Sequence, residues 1–190
     1  MPSRYPALLD DDTLDTIAPA LAALMREAHE PVRDGLDAAL RTLAAHAERM
    51  ARGQFSTATL HCAALGAPFD PALAPVAMDP DGLPSLFGRS LSDGSARAVG
   101  AFGIEPVARL ASGLARVLPL GTEASARLPG VAAAVLLVAW GEAIREEGLD
   151  PAGFGALLRA TSPLLTASLL TLRIATAAGL PISPVPFAGA

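Results

Sequence analysis

The side chains able to do chemistry in this chain fall in a few short clusters, and each lacks part of the set its chemistry needs. Glu27, His29, Glu30 and Asp34 form the densest group of acids and histidine, with Glu30 and Asp34 four apart and so on one helix face. A di-iron site in a helical bundle uses Glu-x-x-His on two helices, and that motif occurs nowhere in the sequence. The bland use of the cluster is a hydrated helix end near Pro31. His61 and Cys62 could offer a thiolate or two metal ligands, but neighbours on a helix point about 100° apart. Cys62 is also the only cysteine, so it makes no intramolecular disulfide and reads as a buried or half-buried helix residue.

The remaining candidates are weaker still. Asp79-Pro80-Asp81-Gly82 resembles the start of a calcium loop, without the third acid or the terminal Glu that such a loop requires. Ser85, Ser90, Ser92, Ser95 and Ser112 sit in no nucleophile elbow, and no phosphate loop or dinucleotide fingerprint is present. Arg109 and Arg116, seven apart on one helix face, could form an anion patch or a solvated face paired with nearby acids. The expectation is therefore no catalytic residue, no cofactor and no metal site. One route stays open, in which His29, His46 and His61 meet across a bundle.

What must position these groups follows from composition. The chain has 190 residues, 52% of them hydrophobic and only 4% aromatic. Alanine supplies about a fifth of the sequence, which favours closely packed helices over sheets, because strands prefer bulky branched and aromatic side chains. The fold class expected is all-α, one helical domain over 1–180 with a possible sub-boundary in a 66–84 loop and an extended proline-rich tail at 181–190. A net charge of −5 and the absence of a basic stripe argue against nucleic acid as a partner. All 14 cations are arginine, and no lysine or asparagine occurs, which GC-rich coding explains as well as selection would. The N-terminal MPSRYPALLDDD lacks an apolar secretory core, and the chain reads as cytoplasmic. Mean hydropathy is +0.42, so membrane contact is considered, but Val131 to Trp140 is too short to span and 163–181 is interrupted by Arg173 and Gly179.

Along the chain, Asp10, Asp11, Asp12 and Asp15 suit the start of a first helix that runs to about Glu30, with Pro31 restarting the chain. Val32, Leu36, Leu40 and Leu43 repeat at helical spacing, while Arg33, Asp37 and Arg41 predict a solvated face of alternating charge. Gly53 ends that helix, and Ser56 to Leu65 forms a short one. Short helices at 83–88 and 93–102 and a longer one from Pro106 to about Leu118 follow. Thr122 caps the next start, Pro129-Gly130 punctuates it, and Val131 to Glu147, apolar on all sides through Trp140, forms a buried central helix. Gly148 ends it in a left-handed residue, and Asp150-Pro151 caps and opens the next. Gly103-Ile104-Glu105-Pro106 repeats that grammar 45 residues earlier, which predicts convergent punctuation more than duplication.

A last helix, about 163–178, carries Leu165, Leu169 and Leu172 on one stripe and small residues on another. Those three leucines are the expected contact element, for a protein partner or a homo-oligomer.

The progression Leu86-Phe87-Gly88, Gly103-Ile104, then Glu146-Glu147-Gly148-Leu149-Asp150-Pro151-Ala152-Gly153-Phe154 and Leu157-Leu158 resembles the uncharacterised bacterial YidB-like domain family. The likeness covers Leu86 to Leu158 best and rests on helix caps and core positions. The helix after Leu158 and the proline tail fall outside the pattern. The resemblance implies an all-α fold and carries no functional residue.

The function expected is a non-enzymatic helical interaction protein. The alternative is a helical domain that binds an apolar small molecule or lipid, peripheral to a membrane.

Overall fold

A computed structural model describes residues 11–66, 98–161, 168–180 and 182, and all its regular elements are helices. They are α1 (Asp11–Met25), α2 (His29–Met50), α3 (Gln54–Leu65), α4 (described at 98–102), α5 (Ile104–Val117), α6 (Thr122–Glu147), α7 (Pro151–Thr161) and α8 (Leu169–Ala177). The expected 66–84 loop and the helix at 83–88 lie almost wholly outside these residues. So do Asp79 to Gly82, Leu86 to Gly88, Leu165, and Ser85, Ser90, Ser92 and Ser95.

The centre of the fold is α6. Its sequence has no polar stripe, so no single face can be presented to water, and α2, α3 and α5 pack around it. Val131, Leu136, Leu137 and Trp140 are buried, and Phe102 and Phe154 flank the Trp140 ring with centroids 6.1 and 5.9 Å away. The helix runs for 26 residues, through Pro129 and Gly130, which corrects the expected restart at Val131. Pro129 is itself buried, and contacts with neighbouring helices hold the turn that its missing N–H weakens. At this length α6 is also long and apolar enough to cross a membrane, although 83% of its apolar window is buried among its neighbours. Thr122 is the first helical residue and not a cap. The cap residue is Gly121, whose N–H donates to the Glu27 carboxylate at 2.8 Å from the α1–α2 joint.

The punctuation after α6 is as the sequence predicts. Gly148 is left-handed with φ 63°, Leu149 N–H donates back to the Ile144 carbonyl, and Asp150 accepts from Gly153 N–H at 2.7 Å. The matching tetrad has a different geometry. Gly103, at φ 88° and ψ 154°, directly precedes α5, so Pro106 is its third residue whereas Pro151 is the first of α7. Two unlike backbone solutions written in similar residues support convergence.

The charged face of α2 is a second correction. Asp37 and Arg41 pair at 2.6 Å with side chains only 15% and 12% exposed, because α8 lies over them. Arg33 pairs across to Asp15 of α1, so Asp15 serves as an inter-helix anchor. The chain turns between α1 and α2 at Arg26, which is left-handed at φ 56° in the place glycine usually takes.

Close approach is what the alanine and glycine content provides. A Cβ on Gly141 of α6 would collide with the Ala64 carbonyl oxygen of α3, whereas one on Gly100 of α4 would meet nothing within 4 Å. The same substitution should therefore act with opposite signs. Gly100→Ala raises stability by about 0.5–1 kcal/mol through helix propensity, and Gly141→Ala lowers it by about 1–3 kcal/mol through overpacking. Urea denaturation of the two variants checks both directions.

Candidate functional site

The expected contact leucines are divided by the structure. Leu169, the first residue of α8, is 77% exposed, while Leu172 is half-buried and packs with Ala45, Ala175 and Ile182. Leu165 lies outside the described residues. What fixes this division is the way α8 is seated. Ser168 caps it by accepting Thr171 N–H at 3.1 Å, and the buried Thr171 hydroxyl donates to Asp37 of α2 at 3.3 Å. On the other side α8 meets α5 almost backbone to backbone, since a Cβ on Gly113 would stand 2.8 Å from the Ile174 carbonyl oxygen. Thr171, Ala175 and Ala178 of the small-residue stripe are thus buried, and Leu169, Arg173 and Thr176 face outward at helical spacing.

Beside this stripe runs the outer edge of α2. Glu30 is exposed, and the Asp34 side chain is 42% exposed. Burial raises the Asp34 carboxyl above the usual carboxylate range, with Asp37 and Glu30 adding to it and Arg33 opposing. Arg33 stands 4.0 Å from Asp34 and makes its closer pair with Asp15. Arg173 makes no ion pair among the described residues. In the sequence Arg173 stands out only as a break in an apolar run, and its outward placement on the face beside α2 depends on α8 folding back along that helix.

The histidines do not converge. His29 and His46 are on one helix, 17 residues or about 25 Å apart. His61 is buried on α3, where its Nε2–H donates to the Leu149 carbonyl at 2.8 Å and its ring stands edge-on to Phe154. Among the described residues no three His, Cys, Asp or Glu side chains are grouped to hold a metal ion. Cys62 is exposed, contrary to expectation, because the buried face of α3 is the one that carries Thr57, Leu60, His61 and Ala64. Arg109 pairs with Glu105 along the surface of α5, and Ser112 donates to the Ala108 carbonyl.

Two surface clefts have charged side chains on their walls. One of about 460 Å³ lies between the α2–α3 joint and α7, lined by Arg52, Gln54, Asp150 and Arg159 among others. Its charges are engaged within the fold: Arg159 donates to the Ala51 carbonyl at 3.1 Å, Arg52 pairs with Glu48, and Asp150 caps α7. The other, about 280 Å³, has Arg26, Glu123 and Arg127 on its walls. No family model, curated protein or solved structure matches this chain.

Two polar groups, the half-buried His46 and the buried Thr42, yield predictions. His46 accepts from Arg49 at 3.3 Å and donates to the Phe102 backbone; burial first, and Arg49 second, hold its pKa below the usual 6.5. The unfolded chain then binds the proton more readily, so this contribution to stability is complete above about pH 6.5 and is lost as pH falls through the lower folded value. Melting curves of the wild type should drop over that window, and His46→Gln should flatten the drop. The Thr42 hydroxyl is fully buried with no hydrogen-bond partner among the described residues. Thr42→Val should raise stability by about 1 kcal/mol, read by urea denaturation.

Proposed function

We propose that this chain is a non-enzymatic helical protein that works by contact with another protein chain through the outer face of α8. The observation that carries this reading is Leu169, a large apolar side chain 77% exposed on a helix whose opposite face is locked to the core. A helix held this firmly presents its outer residues with little ordering cost on binding. The YidB-like resemblance is consistent with such a role, since it rests on caps and core positions and brings no reaction. Among the described residues the apolar-ligand alternative has less support, because the two clefts near α3 and α6 carry Arg, Asp and Glu side chains on their walls.

The test is Leu169→Asp. Because the side chain is exposed, the melting temperature should stay nearly unchanged. Association, read by sedimentation of the pure chain or by cross-linking to a partner in the native host, should be lost. Association that persists in the variant, or a wild-type chain that is monomeric and joins no partner, overturns the reading.

A further inference from the structure

We propose that the occupant of the α8 surface is a second copy of this chain, joined across a two-fold axis at Leu169 so that Arg173 of each copy meets the Glu30 and Asp34 edge of the other. The inference rests on α8 being a contact surface and adds the partner and its register.

The register comes from how α8 lies on α2. Thr171 bonds Asp37, and further along α2 Ala45 packs with Ala175 of α8 and with Ile182 beyond its end, so the two helices run in the same direction. Leu169, two residues before Thr171, stands level with the turn of α2 around Gly35. Arg173 lies about 6 Å beyond Leu169 at 1.5 Å per residue. A perpendicular two-fold axis at Leu169 carries the other copy's Arg173 about 6 Å to the opposite side, level with residue 31 of α2. Glu30 and Asp34 bracket that level.

The charges are thus complementary under one symmetry operation, with the exposed leucines meeting on the axis. Both signs sit on the same side of one copy, because α8 lies alongside α2, so the contact closes as a dimer and does not propagate. Each partner group is available. Arg173 is exposed without an ion pair among the described residues, and Glu30 makes none there either. The nearest cation to Asp34 is shared with Asp15, and a second arginine would add to the attraction by which Arg33 already opposes the effect of burial on its carboxyl. An unrelated partner would need only one of these patches. Their symmetric placement about Leu169 favours a second copy.

Sedimentation equilibrium of the full chain, at low and at high salt, tests this. The wild type should dimerise, more weakly as salt screens the charges. Arg173→Glu and Asp34→Arg should each weaken the dimer on the order of tenfold or more, since each introduces like-charge contacts twice across the axis. The double variant, with the charges exchanged, should recover most of the loss. Glu30→Arg replaces Asp34→Arg if circular dichroism shows that α2 is disturbed. A dimer that needs Leu169 but ignores the charge exchange overturns this register and leaves the α8 contact standing. A monomeric chain that binds a different protein through Leu169 overturns the second copy as occupant. Indifference to Leu169→Asp overturns both.

Discussion

The closeness with which other helices can approach α6 governs this fold. With aromatics at 4% of the chain, the interior cannot be filled by large rings, and dispersion contacts must come from backbones brought near one another. The Gly141 to Ala64 approach seats α3 on α6, and Gly113 to Ile174 seats α8 on α5. Between these, four rings meet edge-on or tilted, His61 to Phe154 to Trp140 to Phe102, where four elements come together at the lower half of α6. The aromatic column and the glycine contacts divide the work: rings fill the one wide gap, and small residues remove the others.

Close approach leaves helix ends buried against neighbouring helices, and their unpaired backbone groups need partners. The chain supplies them across helices. Glu27 accepts the N–H before α6, Arg159 donates to the carbonyl after α2, His61 to the carbonyl of Leu149 in the α6–α7 corner, and His46 to the end of α4. These are the residue types that read as chemistry in a one-dimensional scan. Three of the side chains singled out there, Glu27, His46 and His61, are occupied in holding one helix end to another.

That division also explains what was legible in the sequence. Local rules were legible: Gly148, Asp150 and Pro151 announce the α6–α7 joint because the cap geometry is made within a few residues. The all-α class followed from composition, and the burial of α6 from its lack of a polar face. Pro129 misled because its local cost is real, and only the packing around α6, made by distant residues, overrides it. Arg33, Asp37 and Arg41 looked solvated because i,i+4 pairing is a surface pattern; the presence of α1 on one side and α8 on the other is a fact of topology. Cys62 failed for the same reason, since the weak periodicity of α3 does not mark which face turns inward.

The apolar residues left outside sort themselves by topology too. Because Arg109 lies near Gly179, and Gly113 near both Ile174 and Ala178, α5 and α8 run antiparallel. Their first residues, Ile104 and Leu169, are 71% and 77% exposed and stand at opposite ends of the pair. One contact cannot cover both. Leu169 is flanked by charges of both signs fixed by the α2–α8 packing, whereas Ile104 is followed by Glu105 and Arg109, which already neutralise each other on their own helix. An apolar residue beside unpaired charges has a partner geometry written around it, and one beside a closed pair does not. That difference, more than exposure alone, is why the contact is proposed at α8.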